Sequence, residues 1–275
     1  SSNKEKGVFA YSGAVTTEEF ELGKMLDNDK FGKVTFNLKV NGNHNEKQYP
    51  TILLKGLVAS FDYSNYHYEN ITLDGEYKRG GFTGKLALDD ENGSVLLNGT
   101  INTASRVPTF NFLASIHKIR LHDLHLSPKY EDTEISVKIK ANFTGGSIDE
   151  MNGEINIDSL QFNAPDQQYF LQNLKIAAIR EGKTQKRLTI HSNFLQGSIE
   201  GDYSYRTLPA SVLNIMRRYV PALIQSDKKM KETENNFVFD LHIFDTELLS
   251  TVFQIPIKVY THSTLKGYFN DKARR

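Results

Sequence analysis

The sequence predicts an all-β protein built on one long, curved, mainly antiparallel sheet, a half-pipe or β-taco, with a single amphipathic helix near residues 209–224. Three observations carry this reading. Apolar and polar residues alternate with a period of two through most of the 275 residues, the signature of strands with one buried side. Clusters of Gly, Asn and Asp separate the alternating runs at hairpin distances. Glycine recurs inside the runs on their apolar side, where a sheet bending toward that side has no room for larger side chains.

Taken in order, residues 1–19 read as a flexible lead-in, and the curved sheet is expected over 20–207. Ile71, Leu73, Gly75 and Tyr77 share one face; so do Phe82, Gly84, Leu86 and Leu88, and then Val95, Leu97, Gly99 and Ile101. Phe110 and Phe112 continue the pattern, followed by Ile135, Val137, Ile139, Ala141 and Phe143, then Ile155 and Ile157, then Leu188 and Ile190. The intervening positions are largely Lys, Glu, Asp, Asn and Thr, which gives each strand a dry and a wet side. Turns are expected at Lys78–Gly81, Asp89–Gly93, Gly145–Gly146 and Arg180–Lys183. An apolar-x-Gly-x-apolar pattern centres on Gly56, Gly75, Gly84, Gly99, Gly153, Gly201 and Gly267. Its irregular spacing argues against a β-helix or propeller, which would show a constant period.

Residues 208–236 break the alternation. Val212, Ile215, Met216, Tyr219, Val220 and Leu223 fall at helical spacing, with Arg217 and Arg218 on another face, and Pro221 should kink or end that helix. The helix is expected to cap the sheet and cover apolar surface; a membrane-surface or partner-docking role is the alternative. A polar loop follows, and Phe237, Phe239, Leu241 and Ile243 resume the alternation in terminal strands of the same sheet, over 237–270.

Composition removes several function classes. The 33 Lys and Arg are balanced by 33 Asp and Glu, so no nucleic-acid partner is expected. The 17 Phe and 13 Tyr supply a core for a folded chain. The absence of cysteine excludes disulfides, thiolate zinc sites and cysteine nucleophiles. No stretch approaches the roughly 18 apolar residues of a membrane helix, and the polar first residues are not a signal peptide, so the chain as given is expected to be soluble. It begins Ser-Ser without Met and reads as a processed or excised piece.

Nothing in the sequence nominates catalysis. Asp89-Asp90-Glu91-Asn92-Gly93 lacks the spacing of a calcium loop and reads as a hairpin turn. On a strand, His122 and His125 of the LHDLHL segment would point to opposite faces and could not share a metal. The familiar nucleophile, zinc-protease and phosphate-loop motifs are missing, and no pair of carboxylates stands out for hydrolysis. Asn70, Asn98 and Asn142 head Asn-x-Thr triplets that match glycosylation acceptors and arise by chance in an Asn/Thr-rich β protein. The chain is expected to be no enzyme and to hold no cofactor or metal.

Several longer segments carry more than periodicity. FELGKMLDN (Phe20 to Asn28), FGKVTFNLKVNGN (Phe31 to Asn43) and the stretch from Leu54 to Asn102 resemble the middle of TamB-type, AsmA-like envelope proteins of Gram-negative bacteria. YHYENITLDGEY followed by F-x-G-x-L-x-L-D-D-x-N-G is similar to that family's repeated strand pair. Val107 to Leu126 and Leu188 to Leu208 resemble its later segments. The resemblance implies a half-pipe sheet crossing the periplasm, tethered to the inner membrane by an N-terminal helix that this chain lacks. It also implies a role in lipid transfer between the two membranes and in outer-membrane assembly, with an outer-membrane barrel assembly protein as partner.

The residues support the same expectation by their own physics. An apolar groove is expected along Leu73, Tyr77, Phe82, Leu86, Leu88, Val95, Leu97, Ile101, Phe112, Val137, Ile139, Ile155, Ile190 and Ile199, sheltering phospholipid acyl chains. Each methylene kept from water is worth roughly 0.8 kcal/mol, so a chain of about 14 faces a penalty of roughly 11 kcal/mol in open water. Non-directional contacts would let a lipid slide from strand to strand. Two other functions fit the pattern: chaperone-like holding of outer-membrane strands by β-augmentation, and glycan binding by a tyrosine-bearing sandwich. So does a closed sandwich whose apolar faces simply pack on one another.

Overall fold

The computed structural model describes residues 2–5, 8–45, 48–182, 184–208, 210–211, 234–245 and 262–270. Among the described residues fifteen strands follow one another: β1 (Ser2–Glu5), β2 (Val8–Glu21), β3 (Phe31–Asn45), β4 (Gln48–Tyr63), β5 (Tyr66–Lys78), β6 (Gly81–Asp90), β7 (Gly93–Asn102), β8 (Thr109–Ile119), β9 (Glu134–Thr144), β10 (Asn152–Ala164), β11 (Gln167–Glu181), β12 (Gln185–His191), β13 (Leu195–Asp202), β14 (Asn236–Ile243) and β15 (Ser263–Asn270). Their order in the sheet is their order in the chain, and the sheet is not closed. Short turns between runs of matched period make most strands the antiparallel neighbour of the next, while longer segments follow β8, β13 and β14. The Lys78–Gly81 and Asp89–Gly93 segments form the hairpin turns that their composition predicts.

Three expectations are corrected. Residues 8–21 are strand β2, paired with β3 from Val8↔Asn45 to Glu21↔Lys33, rather than part of a flexible lead-in. Gly13 and Ala14 mask the alternation there, because neither is clearly apolar or polar. Leu22–Leu26 forms a short helix, α1, closed by Asp27 in a left-handed conformation (φ 50°). Residues 121–126 form turns rather than strand, so His122 and His125 do not sit on a sheet face. The amphipathic helix near 209–224 lies outside the described residues beyond its first turn, where Leu208 N–H donates to Ser204 O and Ser211 N–H to Thr207 O. No described helix is long and apolar enough to cross a membrane.

The single span expected over 20–207 resolves into two compact units. The first comprises residues 1–141 and 158–170; the second comprises 142–157 and 171–275. In the first unit, Tyr68, Ile119 and Leu124 form a buried cluster, with Phe61, Tyr63, Tyr66, Ile71, Leu88, Val95 and Ile116 packed against it. In the second, Ala178, Leu188, Ile199, Tyr203 and Phe237 form another, backed by Met151, Ile176, Ile190, Tyr205, Leu208 and Phe239.

Candidate functional site

The register of β3 to β8 turns the sequence alternation into continuous apolar rows, because directly paired residues project to the same side of a sheet. One row is Leu38, Gly56, Leu73, Leu86, Leu97 and Ala114. A second is Val40, Leu54, Gly75, Gly84, Gly99 and Phe112, and a third is Gly42, Ile52, Tyr77, Phe82, Ile101 and Phe110. A fourth is Phe36, Val58, Ile71, Leu88, Val95 and Ile116. The opposite side carries rows such as Lys39, Lys55, Asp74, Lys85 and Asn98, all exposed. There Lys55 Nζ lies 2.7 Å from Asp74 Oδ2.

The apolar rows are not sealed. Apart from Ala114, none of their side chains is buried; most are half-buried, and Tyr77 is 43% exposed. A packed core would exclude water from them fully, whereas neighbours in a bare row shield only one another's flanks.

Glycine shapes the floor of this face. Gly75, Gly84 and Gly99 pair directly across three consecutive strands. A Cβ on Gly99, whose φ is +157°, would lie 2.5 Å from Phe112 Cα, and one on Gly84 would strike the backbone of Asp74 and Gly75. The Phe82 ring lies over Gly75, with its Cζ 2.5 Å from where a Cβ would stand. These positions therefore admit only glycine; between the Leu73 row and the Tyr77 row the Phe82 ring covers Gly75, and Gly84 and Gly99 bear no side chain.

One margin of the face is stopped. The chain after β8 folds over it, so that Leu124 is 0% exposed and its carbonyl accepts from Tyr68 Oη at 2.9 Å. Arg120 N–H donates to Asn92 O at 2.9 Å, and the Arg120 guanidinium pairs with Glu134 at 2.8 Å. Tyr66 Oη donates to Asp90 Oδ1 at 2.6 Å. Burial first, and then the Asp90 contact, push the Tyr66 phenol up to about 12, and burial raises Tyr68 as well. Both phenols stay protonated, so the Tyr68 donor that pins Leu124 persists at any ordinary pH.

The second unit uses the same pattern and fills it. Ala178, Leu188, Ile199, Phe239 and Gly267 form one row across β11 to β15. Here the chain after β13 returns over the row. Tyr203 and Phe237 are both 3% exposed, with ring centroids 5.8 Å apart, and Tyr203 Oη donates to Ile199 O. Lys186 Nζ donates to Tyr203 O at 2.7 Å and reaches Asp149 Oδ1 at 3.5 Å. Burial opposes ionisation of Asp149, but Ser204 Oγ, Tyr205 N–H and Lys186 outweigh it and hold the carboxyl below its ordinary value. Asn235, 2% exposed, donates to Ser211 Oγ at 2.7 Å and accepts from Ser204 N–H at 3.0 Å.

The fourteen expected groove residues therefore divide. Leu73, Tyr77, Phe82, Leu86, Leu97, Ile101 and Phe112 lie together on the unsealed face, and Leu88 and Val95 lie where it meets the stopped margin. Ile199 is buried and Ile190 packs against its cluster, so neither lines a groove; aromatic side chains from Tyr203 and Tyr205 occupy that space. Val137 is also buried, and Ile139 and Ile155 are half-buried. Of the bending glycines, Gly56, Gly75, Gly84 and Gly99 belong to the first unit, and Gly153, Gly201 and Gly267 to the second. In the second unit Gly153 and Gly201 admit neighbouring backbone, and Gly267 lies under the Phe239 ring. The contributions of Phe36, Leu38, Val40 and Ile52 were legible in the alternation of VTFNLKV and of the strand after it, and Leu124 was not.

No group of three or more His, Asp or Glu among the described residues is placed to hold a metal. His122 lies beside Asp123 and Glu131, and His125 Nδ1 is 3.3 Å from Ser64 O. A recess of about 430 Å³ is bordered by Ala10, Tyr11, Ser12, Asn41, Gly42, Asn43, Thr51, Leu53 and Glu76, of which Gly42 and its partner Tyr11 extend the third apolar row and the others lie on the opposite side. Comparison with protein-family models, curated proteins and solved structures returned no match.

Proposed function

We propose that the apolar face of the first unit is a non-enzymatic trough that shelters the acyl chains of lipids. The observation that supports this most directly is the set of aligned rows across β3 to β8, whose Leu, Ile, Val and Phe side chains stay partly accessible. At about 25 cal/mol per Å² of apolar surface removed from water, both the chain and the rows gain by contact. The rows repeat from strand to strand without a polar interruption, so the contact energy changes little as a chain slides across them. Over the glycines a hydrocarbon would meet the Phe82 ring at Gly75 and bare backbone at Gly84 and Gly99.

This reading agrees with what the resemblance to TamB-type proteins implies. On it, the chain is a periplasmic segment of an envelope protein that moves lipid between membranes and meets an outer-membrane barrel assembly protein. The test is lipid extraction and native mass spectrometry of the purified chain, with photo-crosslinkers at Leu86 and Leu97. Co-purified lipid and acyl-chain crosslinks are expected. A lipid-free protein whose crosslinkers label only protein would overturn the proposal.

A further inference from the structure

The row that carries Gly75, Gly84 and Gly99 changes along its length. Val40 and Leu54 fill it on β3 and β4, and Phe112 fills it on β8. Of the three glycines between them, Gly75 lies under the Phe82 ring, whose Cζ and Cε2 stand 2.5 and 2.7 Å from where a Cβ would be. At Gly84 and Gly99 the nearest atoms are backbone and the Phe112 Cβ. Phe82 reaches Gly75 on the diagonal, because Tyr77 pairs with Phe82 and Gly75 with Gly84. An aromatic side chain spans the roughly 7–8 Å between diagonal neighbours.

The second unit repeats the arrangement with a firmer hold on the ring. Phe239 lies over its cross-strand partner Gly267, with its Cζ 2.8 Å from where a Cβ would be. It also packs on Phe237, ring centroids 6.1 Å apart, beside the closed core. Phe82 is half-buried and meets no other ring among the described residues. A ring over a strand glycine can simply shield its backbone, but Gly84 and Gly99 do without such a shield. The Phe82 ring therefore acts on the shape of the open face.

Strands lie about 4.8 Å apart, so the bare stretch over β6 and β7 is about 10 Å long, and β5 would bring it to about 14 Å. One leaflet of a bilayer, half of a core of roughly 30 Å, holds chains about 15 Å long. Resting on the reading of this face as a lipid trough, we propose that Phe82 is its specificity-determining side chain. The ring is an end-stop that confines a chain lying in the glycine row to β6 and β7, so the trough favours short acyl chains. A longer chain leaves methylenes unsheltered, and each lowers retention about fourfold.

The test loads the purified 275-residue chain from vesicles of equal dimyristoyl- and dioleoyl-phosphatidylcholine and measures the retained lipids by mass spectrometry. The headgroup is common to both, so the ratio reads the chains alone. The native chain should retain the dimyristoyl lipid in excess. F82A should shift the ratio toward the dioleoyl lipid by at least about fourfold, the value of one methylene. F82L, which keeps an apolar side chain in the strand but lacks the ring, should shift it the same way and decides the matter if F82A does not fold. F239A, whose ring lies beside the filled core, should leave the ratio as it is. No excess of the shorter lipid in the native chain, a native ratio in the folded Phe82 variants, or an equal shift in F239A would overturn the end-stop while leaving the trough standing. Retention of neither lipid would remove both.

Discussion

The two units apply one sequence pattern to opposite ends. Each has strands with a dry side, glycines on that side and aligned apolar rows. In the second unit, Tyr203, which follows β13, packs with Leu188 and Ile199 and with Phe237 of the neighbouring row. In the first, the row of Leu73, Leu86 and Leu97 meets no equivalent among the described residues, and its margin is stopped by Leu124. The difference lies in what the chain does after a strand ends. After β13 it returns across the face with two tyrosines and a leucine, whereas after β8 it returns only along the margin. Alternation therefore specifies a dry side without specifying whether the protein itself fills it.

The largest expected contrast is in side-chain truncation. Phe237→Ala should destabilise the second unit by about 3–5 kcal/mol, because it leaves a cavity in a closed core. Leu86→Ala should cost roughly 1 kcal/mol, because its side chain is already partly wet. Hydrogen exchange resolved to β13–β14 and to β6–β7 reads the two separately; equal losses would mean that the first unit is also a filled core.

Next in size is glycine replacement. Gly99→Val and Gly201→Val each force a branched residue into a positive-φ conformation against neighbouring backbone, at a cost of about 1–3 kcal/mol. Exchange should report both losses, and Gly99→Val should in addition lower lipid retention by raising the trough floor. A Gly99→Val protein that retains lipid at the native level would show that the floor is not used.

A polar substitution on the bare rows comes next. Leu97→Asn should change stability by roughly 1 kcal/mol or less but reduce co-purified lipid several-fold, whereas Ile199→Asn should open the second unit, since its amide would be buried without partners. Far-ultraviolet dichroism and lipid extraction on the same samples separate the two effects.

The smallest effect is in acid. The Asp149 carboxyl is held below its ordinary value of 3.8, so its contribution is complete above that pH and is lost as pH falls through the depressed value. The second unit should therefore weaken below about pH 3.8 in a way that Asp149→Asn removes. Near-ultraviolet dichroism of the tyrosines follows it, and an unchanged acid profile in Asp149→Asn would show that the Lys186 and Ser204 contacts contribute nothing.

Most of the sheet was legible because its signal is local. Leu73, Leu86 and Leu97 lie on three strands joined by turns rich in Gly and Asp, so period and turn length alone fix their pairing. The floor was legible too, since Gly75, Gly84 and Gly99 sit at matching distances from their turns. Residues 8–21 were missed because Gly13 and Ala14 blur the period. The two fillers, Leu124 and Tyr203, were missed for a different reason. Leu124 follows a strand in a segment without periodicity, whereas Tyr203 continues the period of Ile199 and Gly201; the burial of both depends on where the backbone turns next. The same gap made Ile199 and Leu97 look equivalent, although one is core and the other is trough.

The native chain has no cysteine, so single-cysteine variants place a fluorophore at one site without background. Leu86→Cys and Ile199→Cys, each labelled and mixed with vesicles bearing a nitroxide on the lipid acyl chain, test the central claim most directly. The account predicts strong quenching at position 86 and little at position 199. Equal, weak quenching at both would contradict it.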